Sequence, residues 1–229
     1  MMRTIRSFVR RAGRITMSQQ AALDNLSSTY VLPEKTVIDW DSAFARSGAP
    51  RHVEIGFGMG DALCSMAQAH PERDYLGIEV HTAGVGRVLA HLHKFALHHV
   101  RVCCDDAVLV LREQLPAHSL DAVYIYFPDP WHKKRHHKRR LIQPEFIQLL
   151  ATRLKPQAHL YLATDWQDYA QQMLEVLEAS AEFTNLNGAG QFAPRNAERP
   201  LTKFEQRGQR LGHGVWDLVY QRLSLPPQS

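Results

Sequence analysis

The sequence predicts an α/β protein: an open, mostly parallel sheet of seven strands with helices on both faces and an antiparallel pair at one edge. Three observations carry this. Short apolar runs alternate with amphipathic helical stretches along most of the chain, the pattern of βα crossover units. The fourth run, DAVYIYF at 121–127, is almost wholly apolar, as a strand covered on both faces must be. The last two runs lack a crossover helix between them and so should pair antiparallel.

In order, RHVEIGF (51–57) reads as the first strand and ends in glycines; Asp61 is placed to cap the helix ALCSMAQA. DYLGIEV (74–80) is the second strand, followed by a helix through GRVLAHLHKF. VRVCC (100–104) is the third, followed by the helical AVLVLREQL. After the fourth strand, QPEFIQLLATRL is a helix closed by Lys155-Pro156. AHLYLAT (158–164) is the fifth strand and WQDYAQQMLEVLEA its helix; EFTNL and VWDLVYQRL supply the last two strands. The Gly/Pro-rich stretch 187–200 is a loop long enough to carry function. Residues 1–25 read as a basic arm and 26–229 as one domain.

At 229 residues, 45% hydrophobic and 22% charged, the chain can bury a substantial core. It has no apolar run near the ~20 residues that cross a bilayer, and its basic start lacks the apolar segment of a signal peptide. Three cysteines, two of them adjacent, make neither a disulfide framework nor a spaced zinc site. A reducing, cytoplasmic setting is expected, without membrane association. His91, His93, His98 and His99 have no carboxylate or thiol in register and read as a polar face; no metal is expected. The sequence does not specify oligomeric state, and a monomer is favoured.

Charge is unevenly placed. Arg3, Arg6, Arg10, Arg11 and Arg14 precede the first acid, and Lys133, Lys134, Arg135, Lys138, Arg139 and Arg140 lie together without one. Eleven of the 27 Lys and Arg thus occupy two short segments, the footprint of a polyanion partner. Trp131 beside the second cluster adds a ring on which a base can stack.

Ligands bind such sheets at the carboxyl ends of the strands. The first strand gives Glu54 and the turn Gly56-Phe-Gly58-Met-Gly60, where backbone can approach a ligand closely. Glu79 ends the second strand, where nucleotide units hold a ribose hydroxyl pair. Asp105 and Asp106 end the third strand, placed to meet an adenine edge, and Asp129 ends the fourth. Together these point to an adenosine-containing cofactor. The G-x-G-x-G spacing differs from the dinucleotide motif, and Glu54 would repel a pyrophosphate yet suits an ammonium and a sulfonium. S-adenosylmethionine is favoured over NAD. Pro128 and Pro130 restrict Asp129 to extended backbone, fixing its carboxylate where substrate would meet cofactor. A non-catalytic RNA-binding protein and an NAD-dependent oxidoreductase are the competing readings; the fixed Asp129 opposes the first, and the glycine spacing, Glu54 and the basic rim oppose the second.

The motifs VEIGFGMG, GIEVHTAGVG, FPDPWHKKRHHKRR, ATDW and TKFEQRGQRLGHGVWDL resemble those of bacterial tRNA (guanine-N7-)-methyltransferases, from the arginine-rich arm to about Arg222. The resemblance implies a Rossmann-like class I S-adenosylmethionine-dependent methyltransferase fold that methylates a variable-loop guanine, guanine-46, forming 7-methylguanosine. It implies Glu54, Glu79, Asp106 and Asp129 as cofactor-binding acids, with Asp129 also catalytic. Lys133, Asp165, Thr202, Lys203, Phe204 and Glu205 match substrate-binding positions, and Arg135, His136, His137, Lys138, Arg139 and Arg140 the RNA-contacting region.

Overall fold

The computed structural model describes residues 7–8, 14–197, 199–200 and 214–224. Thr202, Lys203, Phe204 and Glu205 lie outside the described residues, as do Arg3, Arg6, Arg10 and Arg11 of the arm.

Seven strands form one sheet in the order β3-β2-β1-β4-β5-β7-β6. They are β1 (Arg51–Ile55), β2 (Asp74–Ile78), β3 (Val100–Cys103), β4 (Leu120–Tyr126), β5 (Leu154–Thr164), β6 (Phe183–Asn185) and β7 (Trp216–Arg222). The first five are parallel, and β7 runs antiparallel to both β5 and β6. The order reverses at β1, so a crevice opens between the carboxyl ends of β1 and β4. The apolar strands are buried as their composition requires: Val53, Leu76, Val123 and Leu160 have no exposed surface.

Helices α3 (Asp61–Ala69) and α4 (Thr82–Lys94) follow β1 and β2. On the other face α6 (Pro144–Ala151) and α7 (Gln167–Glu178) join the core around Phe146, Ile147, Tyr169 and Met173. Two further helices are short, α2 (Trp40–Phe44) and α5 (Ala107–Leu109), the latter continued by a wider π turn through Gln114. Helix α1 (Met17–Tyr30) is stapled at its start by a capping box between Thr16 and Gln19. It buries Ala22 and Tyr30 in the core that also holds Val85 and Leu89 of α4. The expected division at residue 25 falls inside this helix.

Two local expectations are corrected. Gly60, not Asp61, caps α3, with φ 78° in the left-handed region, while Asp61 lies in the first turn and pairs with Arg87 at 2.7 Å. Lys155 and Pro156 do not close a helix. The preceding helix ends at Ala151, and both residues lie inside β5, where the register against β4 is irregular. That irregularity is what tolerates a proline, which cannot donate to a regular ladder.

The loop 187–200 is tied down. Ala193 bridges to Asp217 and Asn196 donates to the Tyr126 hydroxyl at 3.2 Å. Arg199 is buried, donating to Asp217 at 3.0 Å, with its guanidinium 5.2 Å from the Phe127 ring.

Candidate active site

The site is built on the ends of β1, β2, β3 and β4. Gly56 and Gly58 take left-handed φ values of 74° and 56°, and a Cβ at either would meet nothing within 4 Å. Bare backbone therefore forms one wall of a cleft of about 250 Å³. Gly60 serves packing instead. A Cβ there would lie 2.0 Å from Val88, so the glycine lets α3 pack closely against α4.

Glu79 holds this turn together. Its Oε2 accepts from the Gly58 N–H at 2.8 Å, and its Oε1 accepts from Val80 at 2.7 Å and His81 at 2.9 Å. One carboxylate thus fixes two loops, and Oε2 retains acceptor capacity toward the cleft it lines. Asp106 lines the same cleft from the β3 side and caps α5, accepting from Val108 at 2.9 Å.

Glu54 lies beneath the turn and is 3% exposed. It accepts from the Leu63 backbone in the first turn of α3, and its Oε2 has no hydrogen-bond partner among the described residues. Burial, then the neighbouring Glu79 and Asp61 carboxylates, push its pKa up to about 8. A cation brought beside it would satisfy the lone oxygen and draw off the proton.

Asp129 lines this cleft and also a second one of about 450 Å³, which it shares with Lys133, His132 and His136. The backbone around it is strained as well as proline-bound: Phe127 and Trp131 have φ values of 51° and 46°. Non-glycine residues hold such angles only where surroundings impose them. Here the Phe127 N–H donates to Ala163 at 2.7 Å, and the Arg140 Nε donates to the Pro130 carbonyl at 2.8 Å. Asp165 directly follows β5, the neighbouring strand, and is exposed.

The basic run forms a 3₁₀ helix, Lys134–Arg139. Lys133, Lys134, Arg135 and Lys138 are exposed, and desolvation, then the neighbouring cations, lowers the pKa of His136. Arg140 departs from the expected role. It is buried, bonded to Pro130, Gln172 and Asp168, and stacked over Tyr169 at 4.8 Å. Its place is under the loop, not toward a phosphate. Trp131 is also committed: its indole N–H donates to the Ser7 carbonyl at 2.9 Å, and Arg139 covers the ring at 4.0 Å. Ser7 and Phe8 line the first cleft, and their carbonyls accept from Trp131 and Arg139 of the second basic segment.

Sequence reading missed His81, which lines both clefts, and Arg199 behind Phe127. His81 was legible in principle, two residues past Glu79. Arg199 was not, because its role depends on packing from a distant loop.

The strand order, the antiparallel β7 and the glycine turn facing strand-end carboxylates define a Rossmann-like class I S-adenosylmethionine-dependent methyltransferase fold. Solved structures agree. The chain superposes on the 16S rRNA methyltransferase KamB with a TM-score of 0.57 at 15% identity, covering 97% of this chain and 100% of that one. An S-adenosylmethionine-dependent O-methyltransferase from Thermotoga maritima gives 0.52 at 14% identity, covering 92% and 73%. These likenesses show the fold alone.

Residues 48–218 match a family model described as "Putative methyltransferase". The tRNA (guanine-N(7)-)-methyltransferase of Thiobacillus denitrificans is 57% identical over 219 residues, covering 95% of both chains. That of Burkholderia vietnamiensis is 56% identical over 221 residues, covering 96% of this chain and 86% of the relative. The chain belongs to the tRNA (guanine-N(7)-)-methyltransferase family.

Proposed function

We propose that this protein transfers a methyl group from S-adenosylmethionine to N7 of a guanine in tRNA, the variable-loop guanine-46, leaving 7-methylguanosine. The observation that carries this reading is the position of Asp129 on the wall common to two clefts. One cleft has the features of a cofactor site: a bare glycine turn and the Glu79 and Asp106 carboxylates line it, and the unpartnered Glu54 oxygen is buried one residue before its wall at Ile55, outside the lining itself. The other is lined by exposed Lys133, and the adjoining 3₁₀ helix exposes Lys134, Arg135 and Lys138.

Glu79 and Asp106 would hold the adenosine, and Glu54 would receive the ammonium of the methionine portion. The bound cofactor supplies an electrophilic methyl group on a sulfonium. Guanine N7 carries a free lone pair, so no base is needed to deprotonate it before it attacks. The work left to the protein is alignment, with reacting atoms brought to about 3 Å, and electrostatics. Asp129 accepts from the guanine N1–H and amino group, orients the ring, and opposes the positive charge that develops on it. Lys133, Lys134, Arg135 and Lys138 neutralise phosphates, and Lys133 and Asp165 flank the base. N7 of a regular A-form helix lies in a groove too narrow to enter, so the target base must be irregular or extruded.

Mass analysis of nucleosides from tRNA incubated with the protein and S-adenosylmethionine tests this. New 7-methylguanosine, absent when guanine-46 is replaced, is the expected result; methylation at another atom or none at all overturns it.

A further inference from the structure

Trp131 cannot serve as the stacking ring at this site without leaving its place, since its N–H is held by Ser7 and one face is covered by Arg139. The next residue is differently placed. His132 is exposed and lines the second cleft with Asp129 and Lys133. Its ring is met by Trp166 in a T-shaped contact, centroids 4.1 Å apart and planes 69° apart. The Trp166 backbone is anchored while its ring stays exposed: its N–H donates to Thr164 Oγ1 at 3.2 Å, and it occupies the N-cap of α7, whose Asp168 is bonded to Arg140. A flat ring thus lies edge-to-face against Trp166 on the wall of the cleft that Asp129 also lines.

We infer that His132 is the ring on which the target guanine stacks, and that Trp166 is the positioning residue that sets its angle. This rests on the guanine-N7 reading above and adds a residue to it. Stacking tolerates any flat partner, and it resists the loss of an extruded base to its old neighbours. Asp129 alone fixes the edge of the base but not the tilt of its plane. A second, perpendicular constraint is what the His132–Trp166 pair supplies.

Single-turnover methyl transfer to tRNA, with cofactor affinity measured in parallel by calorimetry, tests the assignment. His132→Ala should slow transfer by about 5- to 150-fold, the range for a lost base–aromatic stack, with cofactor affinity unchanged. His132→Phe should recover most of the rate, since it restores a flat ring. Trp166→Leu should raise the tRNA concentration needed for half-maximal rate more than it lowers the rate at saturation. Equal losses in His132→Phe and His132→Ala would mean that the residue acts by hydrogen bonding and would overturn the stack, as would an unimpaired His132→Ala. A wild type that makes no 7-methylguanosine would remove the functional reading and this assignment together, whereas failure in the variants alone removes only the assignment.

Discussion

The Arg140 guanidinium donates to the carbonyl of Pro130 at 2.8 Å, from a side chain that is only 1% exposed. The same group bonds Gln172 and Asp168 on α7, so the loop bearing Asp129 is tied to a helix on the far side of β5. Arg140→Ala should therefore act as a structural lesion. Losing several hydrogen bonds, each worth about 0.5–1.5 kcal/mol, should lower the unfolding midpoint measurably. Turnover should fall further than tRNA affinity does, because Pro130 is freed beside Asp129. A flattened salt dependence of tRNA binding, with stability intact, would instead return Arg140 to the RNA surface.

Asp129→Asn keeps the side-chain size, removes the charge and presents a donor where guanine N1–H needs an acceptor. Losing one preorganised electrostatic partner lowers turnover by about 100–1,000-fold. Single-turnover transfer at saturating tRNA and cofactor isolates that step. A fall of less than about tenfold, equivalent to about 1.4 kcal/mol, would leave Asp129 a loop residue.

Glu79→Ala should weaken S-adenosylmethionine by about 1.5–3 kcal/mol, the worth of hydrogen bonds to a charged group. The structure adds a second effect. Gly58, Val80 and His81 lose their shared acceptor, so thermal stability should drop in the ligand-free protein too. Calorimetry on the folded variant separates these, and unchanged cofactor affinity would place Glu79 outside the site.

Glu54, with its pKa pushed up to about 8 by burial and then by Glu79 and Asp61, holds a proton that the unfolded chain releases near its ordinary value of 4.5. The unfolded state thus binds fewer protons between those limits, and stability is lost as pH rises from about 4.5 to about 8. The unfolding midpoint of ligand-free wild type, compared with Glu54→Gln across this range, should show a decline that the variant lacks. Cofactor affinity should move the other way, rising toward pH 8 in wild type because the ammonium needs the carboxylate. Matching midpoint profiles would show that Glu54 is already ionised in the free protein.

Lys134 and Lys138 are exposed on the 3₁₀ helix. Replacing either with alanine should weaken tRNA binding and flatten its log–log salt dependence by about one unit for each phosphate no longer neutralised. Slopes equal to wild type would make the run a solvated surface.

Composition and periodicity made legible the layer architecture, the placement of Glu79, Asp106 and Asp129 at strand ends, and the clustering of positive charge. These features are legible because strand burial imposes apolar runs and because ligands meet parallel sheets at one end. Local pattern also made the charge of 133–140 visible, but it could not sort that charge. Lys134 faces water while Arg140, six residues on, lies buried under Pro130, since exposure depends on where α7 packs. Tertiary structure alone also turned Trp131 toward Ser7, aimed His132 at the cleft, made Gly60 a packing residue, and raised the pKa of Glu54. Each of these depends on contacts between residues distant in the chain, and a local sequence pattern does not encode which distant surface a side chain will meet.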